Sequence, residues 1–199
     1  MIVNALDLKQ RTILGFTDLD PDKTCLGDVR RLGDDEIVLM YDPDSVVLVN
    51  GVGSIARQTT RRMIFERFRQ KGYHFEPVRH PASIVAPDVK LSEGTQVMAG
   101  AILQPGCMLG VNTIINTGAV LDHDCHIGDH VHIAPGAVLS GTVRIGNETH
   151  VGTGAVVIQG ISIGAGSIIG AGSVVVRDVP DRVTIAGVPG RIIRTHRQD

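Results

Sequence analysis

Four histidines fall within ten residues, His123, His126, His130 and His132, beside Asp122, Asp124 and Cys125. Three chemistries are open to such a cluster. Histidines and acids together can hold a metal ion. A cysteine can act as a nucleophile where its thiolate is favoured. An imidazole that titrates near neutral pH can serve as a general base, and a carboxylate on its other ring nitrogen would fix the tautomer and raise its basicity. A second feature lies upstream. Residues 46–50 (VVLVN) read as a buried strand running into Gly51-Val52-Gly53-Ser54, and residues 55–71 carry a helical pattern ended by Gly72. Such a strand–glycine–helix joint can cradle phosphate on free backbone N–H groups, or it can be a tight turn.

What must position the histidines is a repeat. Every sixth residue from Val85 to Val175 is aliphatic, sixteen positions in succession. Two residues before each stands a small or modest side chain, including Ala101, Cys107, Thr113, Ala119 and Cys125. A period of six with β-branched enrichment is the signature of a hexapeptide β-helix. Short strands alternate sides, so the aliphatic residue and its partner two earlier both point inward. Three hexads close one triangular turn, so sixteen make about five turns. The interior accepts one aliphatic side chain per face per layer and has no room for a ring.

Composition agrees. The chain has 199 residues, and its six aromatics all lie at or before Phe75, while residues 76–199 hold 18 of the 24 glycines. Residues 13–18 add a short apolar run ending in acid, so the part before residue 76 reads as α/β. With 19 Lys+Arg against 21 Asp+Glu and no basic block, nucleic acid is excluded as a main partner. No stretch approaches the roughly 18 apolar residues of a membrane span. Residues 1–11 lack the pattern of a signal peptide, and three cysteines at no metal-like spacing suit a reducing cytoplasm.

The hexad register sorts the three chemistries. His126 and His132 occupy equivalent outward positions on successive faces and point different ways, which argues against a metal site. His132 and His150, eighteen residues apart, stack on one face of adjacent turns at about 4.8 Å. Cys125 and Cys107 point inward, where small thiols pack and do not react. His123 follows Leu121 by two, at a corner that can project into a groove. Its orienting acid is Asp124 if the corner bends the two together, or Asp122 otherwise; a solvated polar corner is the remaining alternative.

The β-helical half resembles the left-handed β-helix acyltransferases of the hexapeptide-repeat superfamily, in its hexads and in the closing Ala186-Gly187-Val188-Pro189-Gly190. The resemblance implies a left-handed parallel β-helix and a homotrimer with acetyl-CoA bound between neighbouring helices. The first half, joined through His80-Pro81-Ala82-Ser83, is similar to the small nucleotide-sugar-binding domain of one subgroup. That subgroup holds the bacterial nucleotide-amino-sugar N-acetyltransferases and the sialic acid O-acetyltransferase-like proteins. Its members usually open with a strand and a glycine-rich loop bearing a His, ahead of the helix expected here at residues 3–8. This sequence lacks that opening, so the expectation is a truncated Rossmann-like α/β unit over 1–78, a β-helix over 79–186 and a tail over 187–199.

The stretch Asn116-Thr117-Gly118-Ala119-Val120-Leu121-Asp122-His123-Asp124-Cys125 resembles the subgroup's active-site segment. By that resemblance His123 is the catalytic base and Asp124 the acid that enhances its basicity, at a place where the family often has Glu. Asn116 and His132 match groups near acetyl-CoA, and Gly141, Thr153 and Ala171 fall at backbone positions that bind its pantetheine arm. Asp18, Leu19 and Gly53 match the nucleotide-sugar side, where the subgroup often has paired acids and Leu19 departs from them. The implied activity is acetyl transfer from acetyl-CoA to the amino group of a nucleotide-linked sugar in bacterial surface glycan synthesis, in the cytoplasm, with no metal. O-acetylation of sialic acid or a related sugar is the alternative enzyme, and a non-catalytic β-helix scaffold or sugar-nucleotide-binding module is the alternative of another class.

Overall fold

The computed structural model describes residues 12–54 and 59–196. From Val78 onward the chain winds as a prism of two-residue strands joined by tight corners. Strands eighteen residues apart pair in parallel, so each wall of the prism is a ladder. One wall stacks Ile84–Val85, Ile102–Leu103, Val120–Leu121, Val138–Leu139, Val156–Val157 and Val174–Val175. Its outward residues are Ile84, Ile102, Val120, Val138, Val156 and Val174, and we call it the aliphatic face. The next wall carries Lys90, Met108, His126, Arg144 and Ser162 outward and is the polar face. The third carries Gln96, Ile114, His132, His150 and Ile168 and is the histidine face.

The inward pairs make one continuous core. Ala119 with Leu121, Cys125 with Ile127 and Val131 with Ile133 are all buried, and the same pairing repeats through Ser173 with Val175. Only the first layers, at Val85, Val89 and Leu91, are partly open. Burying an aliphatic side chain fully contributes roughly 1.5–3 kcal/mol, so the repeat carries the stability of this half. Corners turn through left-handed backbone, as at Gly106 (φ 78°), Asp124 (φ 58°), Thr142 (φ 61°) and Gly160 (φ 75°), stacked one per coil. Residues 187–199, expected as a tail, include a strand, Arg191–Thr195, paired antiparallel with Val183–Ala186. The segment Ala186-Gly187-Val188-Pro189-Gly190 joins those two strands, with a cis bond before Pro189.

The earlier part is smaller. Val47–Leu48, an α-helix (α1, Thr60–Gln70) and His74–Phe75 form a parallel strand–helix–strand unit, with Gly72 (φ 89°) closing the helix as expected. The helix expected over 55–71 is described from Thr59, and the one expected over 3–8 lies outside the described residues. A three-stranded sheet of Phe16–Thr17, Val29–Gly33 and Cys25–Leu26, then a 3-10 turn at Asp35–Met40, was not anticipated. Four of the six aromatics, Phe65, Phe68, Tyr73 and Phe75, make one cluster. Phe65 also packs edge-on against His130, its ring 5.7 Å away, which seats α1 on the corner between the polar and histidine faces.

Candidate active site at a prism corner

Leu121 and Cys125 both point into the core, so Asp122, His123 and Asp124 form the corner outside it. Three backbone constraints fix that corner. The Asp124 N–H donates to the Pro105 carbonyl, the Thr142 N–H to the His123 carbonyl, and the His123 N–H to Oδ1 of Asp122. The left-handed turn at Asp124 then brings adjacent side chains to the same side. Nδ1 of His123 lies 2.9 Å from Oδ2 of Asp124. A carboxylate only accepts, so Nδ1 carries the proton and Nε2 is left with its lone pair.

The ring lies with its face over Gly141, where an added Cβ would overlap Nε2, Cε1 and Cδ2. The Asp124 hydrogen bond, chiefly, holds the His123 pKa above its ordinary value; the charges of Asp122 and Asp124 and the Cys107 thiol below act the same way, against some desolvation. The side chains are half open to solvent, 49% and 62% exposed, so a proton can arrive and leave. A neutral imidazole pinned in one tautomer at a groove edge can accept a proton from an attacking amine or hydroxyl.

His132 is a different environment nine residues on. It is only 7% exposed. Its Nδ1 is 2.8 Å from the Ser54 carbonyl and its Nε2 is 3.0 Å from the Asn116 amide nitrogen. The Asn116 amide oxygen accepts from the Thr117 N–H, which orients the amide. Nδ1 therefore donates and Nε2 accepts. Burial first, then the neighbouring His150 and Arg61, pushes the His132 pKa down to about 4, against the pull of the Ser54 carbonyl. His150 packs edge-on against it at 4.9 Å, as the eighteen-residue stacking requires. Both ring nitrogens of His132, expected beside acetyl-CoA, are taken by protein groups.

The Gly51–Ser54 loop is clamped from beneath by residues the sequence reading did not single out. Arg61, buried on α1, donates to the carbonyls of Asn50 and Val52 at 2.8 Å and reaches those of Asn112 and Gly94. Its desolvation draws the guanidinium pKa down to about 10. Gln96 donates to the Asn50 carbonyl, and the Asn50 side chain bonds Arg61 O and Val52 N. Gly53 sits within this clamped loop, with no atom of the described residues within 4 Å of where its Cβ would be. Asp18 instead bonds Lys23 and the Asp20 N–H within the small N-terminal sheet, and Leu19 is 82% exposed beside it.

The remaining expected residues divide between two prism edges. His123 and Gly141 stand one coil apart on the edge between the aliphatic and polar faces. Asn116, Thr153 and Ala171 stand on the edge between the histidine and aliphatic faces. The width of the aliphatic face, at most about 20 Å for six extended residues, separates the two groups. Both inner thiols are buried. Cys107 donates to the Asp122 carbonyl and Cys125 to that of Ser140, so both thiols are packed in the core, away from any attacking position. No group of three metal-binding side chains occurs among the described residues. An open groove of about 840 Å³ runs along the polar face past Met108, His126 and Arg144, apart from His123.

Comparison with known proteins follows the same lines. The family pattern described as bacterial transferase hexapeptide (six repeats) matches residues 109–141. A histidine-to-asparagine mutant of perosamine N-acetyltransferase from Caulobacter crescentus, in complex with CoA and GDP-perosamine, is 39% identical. The match covers 89% of this chain and 83% of that one, with a TM-score of 0.81. The acetyltransferase domain of PglB from Neisseria gonorrhoeae, in complex with acetyl coenzyme A, is 35% identical over 90% and 85% of the two chains, with a TM-score of 0.83. WeeI from Acinetobacter baumannii is 26% identical over 96% and 92%, with a TM-score of 0.70. No curated protein matches.

Proposed function

The chain belongs to the hexapeptide-repeat acyltransferases, in the subgroup of nucleotide-amino-sugar N-acetyltransferases, and from that premise we propose how it works and on what. It is an acetyl-CoA-dependent sugar N-acetyltransferase. Its acceptor is the amino group of a nucleotide-linked amino sugar, of the kind of GDP-perosamine, the sugar in complex with one relative. The observation that carries the mechanism is the His123–Asp124 contact, with Nε2 unpartnered among the described residues.

In the ternary complex the amine attacks the thioester carbonyl carbon while Nε2 of His123 takes the amine's proton. The new C–N bond forms, the C–S bond breaks, and the proton passes from the imidazolium to the departing sulfur. Asp124 keeps Nδ1 protonated and stabilises the imidazolium at its peak charge. No covalent enzyme intermediate is needed.

The working unit is a homotrimer. Support comes from two facts about the prism. The aliphatic face exposes a column of six aliphatic side chains, with Ile84 at 65% and Val138 at 37% exposed. Apart from His132 on the histidine face, the residues assigned to base and donor lie on the two edges that flank this face. Packing the aliphatic faces about a threefold axis covers the column and sets one subunit's His123 edge against its neighbour's Thr153 edge. Within this unit residues 79–186 hold the donor, and the α/β part, through its clamped Gly51–Ser54 loop, selects the acceptor.

The test is a paired assay with acetyl-CoA and either 4-amino nucleotide sugars or hydroxyl acceptors such as sialic acid. Turnover with the amine at least tenfold above the hydroxyl is expected. Preference for the hydroxyl would make it an O-acetyltransferase, and no acetyl-CoA binding by calorimetry would make it a scaffold. Sedimentation is expected to give three times the chain mass; a monomer at micromolar concentration would contradict the assembly.

A further inference from the structure

The corner that bears Asp124 belongs to a column of one residue per coil, Asp88, Gly106, Asp124, Thr142 and Gly160. Asp124 stacks directly over Gly106, its neighbour one coil earlier. The column's backbone is left-handed at the last four of these. Asp and Thr occupy that conformation here, so left-handedness alone does not require glycine at position 106. A second constraint does. An added Cβ on Gly106 would fall on Oδ1 of Asp124 and lie 3.1 Å from its Cγ. Oδ1 of the carboxylate points into the space beside the bare Cα of Gly106, and from there the other oxygen reaches Nδ1 of His123. Below, Oδ2 of Asp88 accepts from the Gly106 N–H at 2.8 Å, which fixes the peptide on which the carboxylate rests.

We propose that Gly106 is a positioning residue for the acid–base pair: its missing side chain is the seat that lets a carboxylate as short as that of Asp124 hold the His123 ring. This rests on the reading of His123 as the base. Gly141 is the counterpart above, leaving room for the ring itself, so the pair is held between two bare backbone positions one coil to either side. A side chain at 106 pushes the carboxylate off Nδ1, which frees the tautomer and removes the charge that supports the imidazolium. The ionisable groups facing His123 are Asp122, Asp124 and Cys107, with Asp88 under Gly106, and only the Asp124 contact depends on the seat.

The experiment compares Gly106→Ala, Asp124→Asn, the double variant and Gly166→Ala in the full chain. Gly166 is left-handed too (φ 64°), but its added Cβ meets only Cγ of Arg182 at 3.4 Å, on the corner away from His123. It therefore reports backbone strain alone. Two readouts are taken, the NMR titration of the His123 ring and the pH profile of kcat/KM. Gly106→Ala is expected to move the His123 midpoint down toward that of Asp124→Asn and to reduce kcat/KM roughly tenfold. In the Asp124→Asn background it adds no further shift, and Gly166→Ala moves neither readout. If Gly106→Ala fails to fold, Gly106→Asn carries the same Cβ on a residue that tolerates left-handed backbone. A wild-type midpoint in the folded Gly106 variant while Asp124→Asn lowers it overturns the proposal, as does an equal shift in both backgrounds. An unshifted midpoint in Asp124→Asn itself would instead overturn the acid–base reading beneath it.

Discussion

His123 and His132 are the same residue type nine positions apart, and their surroundings give them opposite work. At the open corner a carboxylate meets Nδ1, the pKa rises, and Nε2 is left to accept protons. On the histidine face the ring is buried, a carbonyl and an amide take both nitrogens, and the pKa falls to about 4. One is arranged to change charge near neutral pH. The other is arranged to stay neutral and hold the Ser54 loop to the prism. Residue type supplied the capacity in both cases, and the local dielectric and partners decided its use.

The sharpest way to break this contrast is His123→Ala, expected to lower turnover by roughly 10²–10⁴ while acetyl-CoA still binds by calorimetry. Near-normal turnover would return His123 to the status of a solvated corner. Next in size is Val138→Glu, a charge in the middle of the aliphatic column. It should shift sedimentation from trimer to monomer and reduce turnover about a hundredfold by parting the two edges, a loss comparable to removing the base itself.

Asp124→Asn keeps a hydrogen-bond acceptor but removes the charge, and a loss of roughly tenfold in kcat/KM is expected. The base must be neutral to work, so the acid limb of kcat/KM inflects at the raised His123 pKa. In the variant that limb moves to lower pH. A limb that stays in place would show that Asp124 does not tune the base.

His132→Phe is expected to change turnover of the folded protein by no more than about threefold, because both ring nitrogens are already engaged by Ser54 and Asn116. Its effect is on stability. The native pKa of about 4 lies below the unfolded value near 6.5. The unfolded state therefore binds the proton first, so stability is complete above pH 6.5 and falls as pH drops toward 4, by on the order of 3 kcal/mol. The Phe variant loses about 1–3 kcal/mol at pH 7 from the two broken hydrogen bonds but keeps a flatter profile below pH 6.5. Urea titrations at several pH values would separate the two.

The prism was legible because each hexad repeats one inward pair, so a single spacing rule set sixteen strands at once. The corner at His123 was legible for the same reason, since it lies two residues past an inward Leu121. Its contact with Asp124 was named by the resemblance, whereas spacing left Asp122 open, because pairing neighbours depends on a left-handed φ that no pattern announces at an aspartate. The sheet around Phe16–Thr17 and Val29–Gly33 has no periodicity to read. Single contacts fasten it, such as Arg31 to the Asp18 carbonyl, and the 3-10 turn that follows is held in the same way by the Tyr73 hydroxyl on the Val38 and Tyr41 carbonyls. His132 faces outward, as its place in the hexad requires. Its burial comes from Ser54, seventy-eight residues earlier, which spacing within the repeat cannot report. Arg61 was hidden among neighbouring helix arginines, and only its burial sets it apart.

One NMR titration of the histidine rings in the wild-type protein tests the contrast most directly. His123 is expected to titrate above the ordinary imidazole value with its proton on Nδ1, while His132 stays neutral until about pH 4. Coincident titration of the two near pH 6.5 would contradict it, because it would mean that neither the Asp124 contact nor the burial under Ser54 distinguishes them.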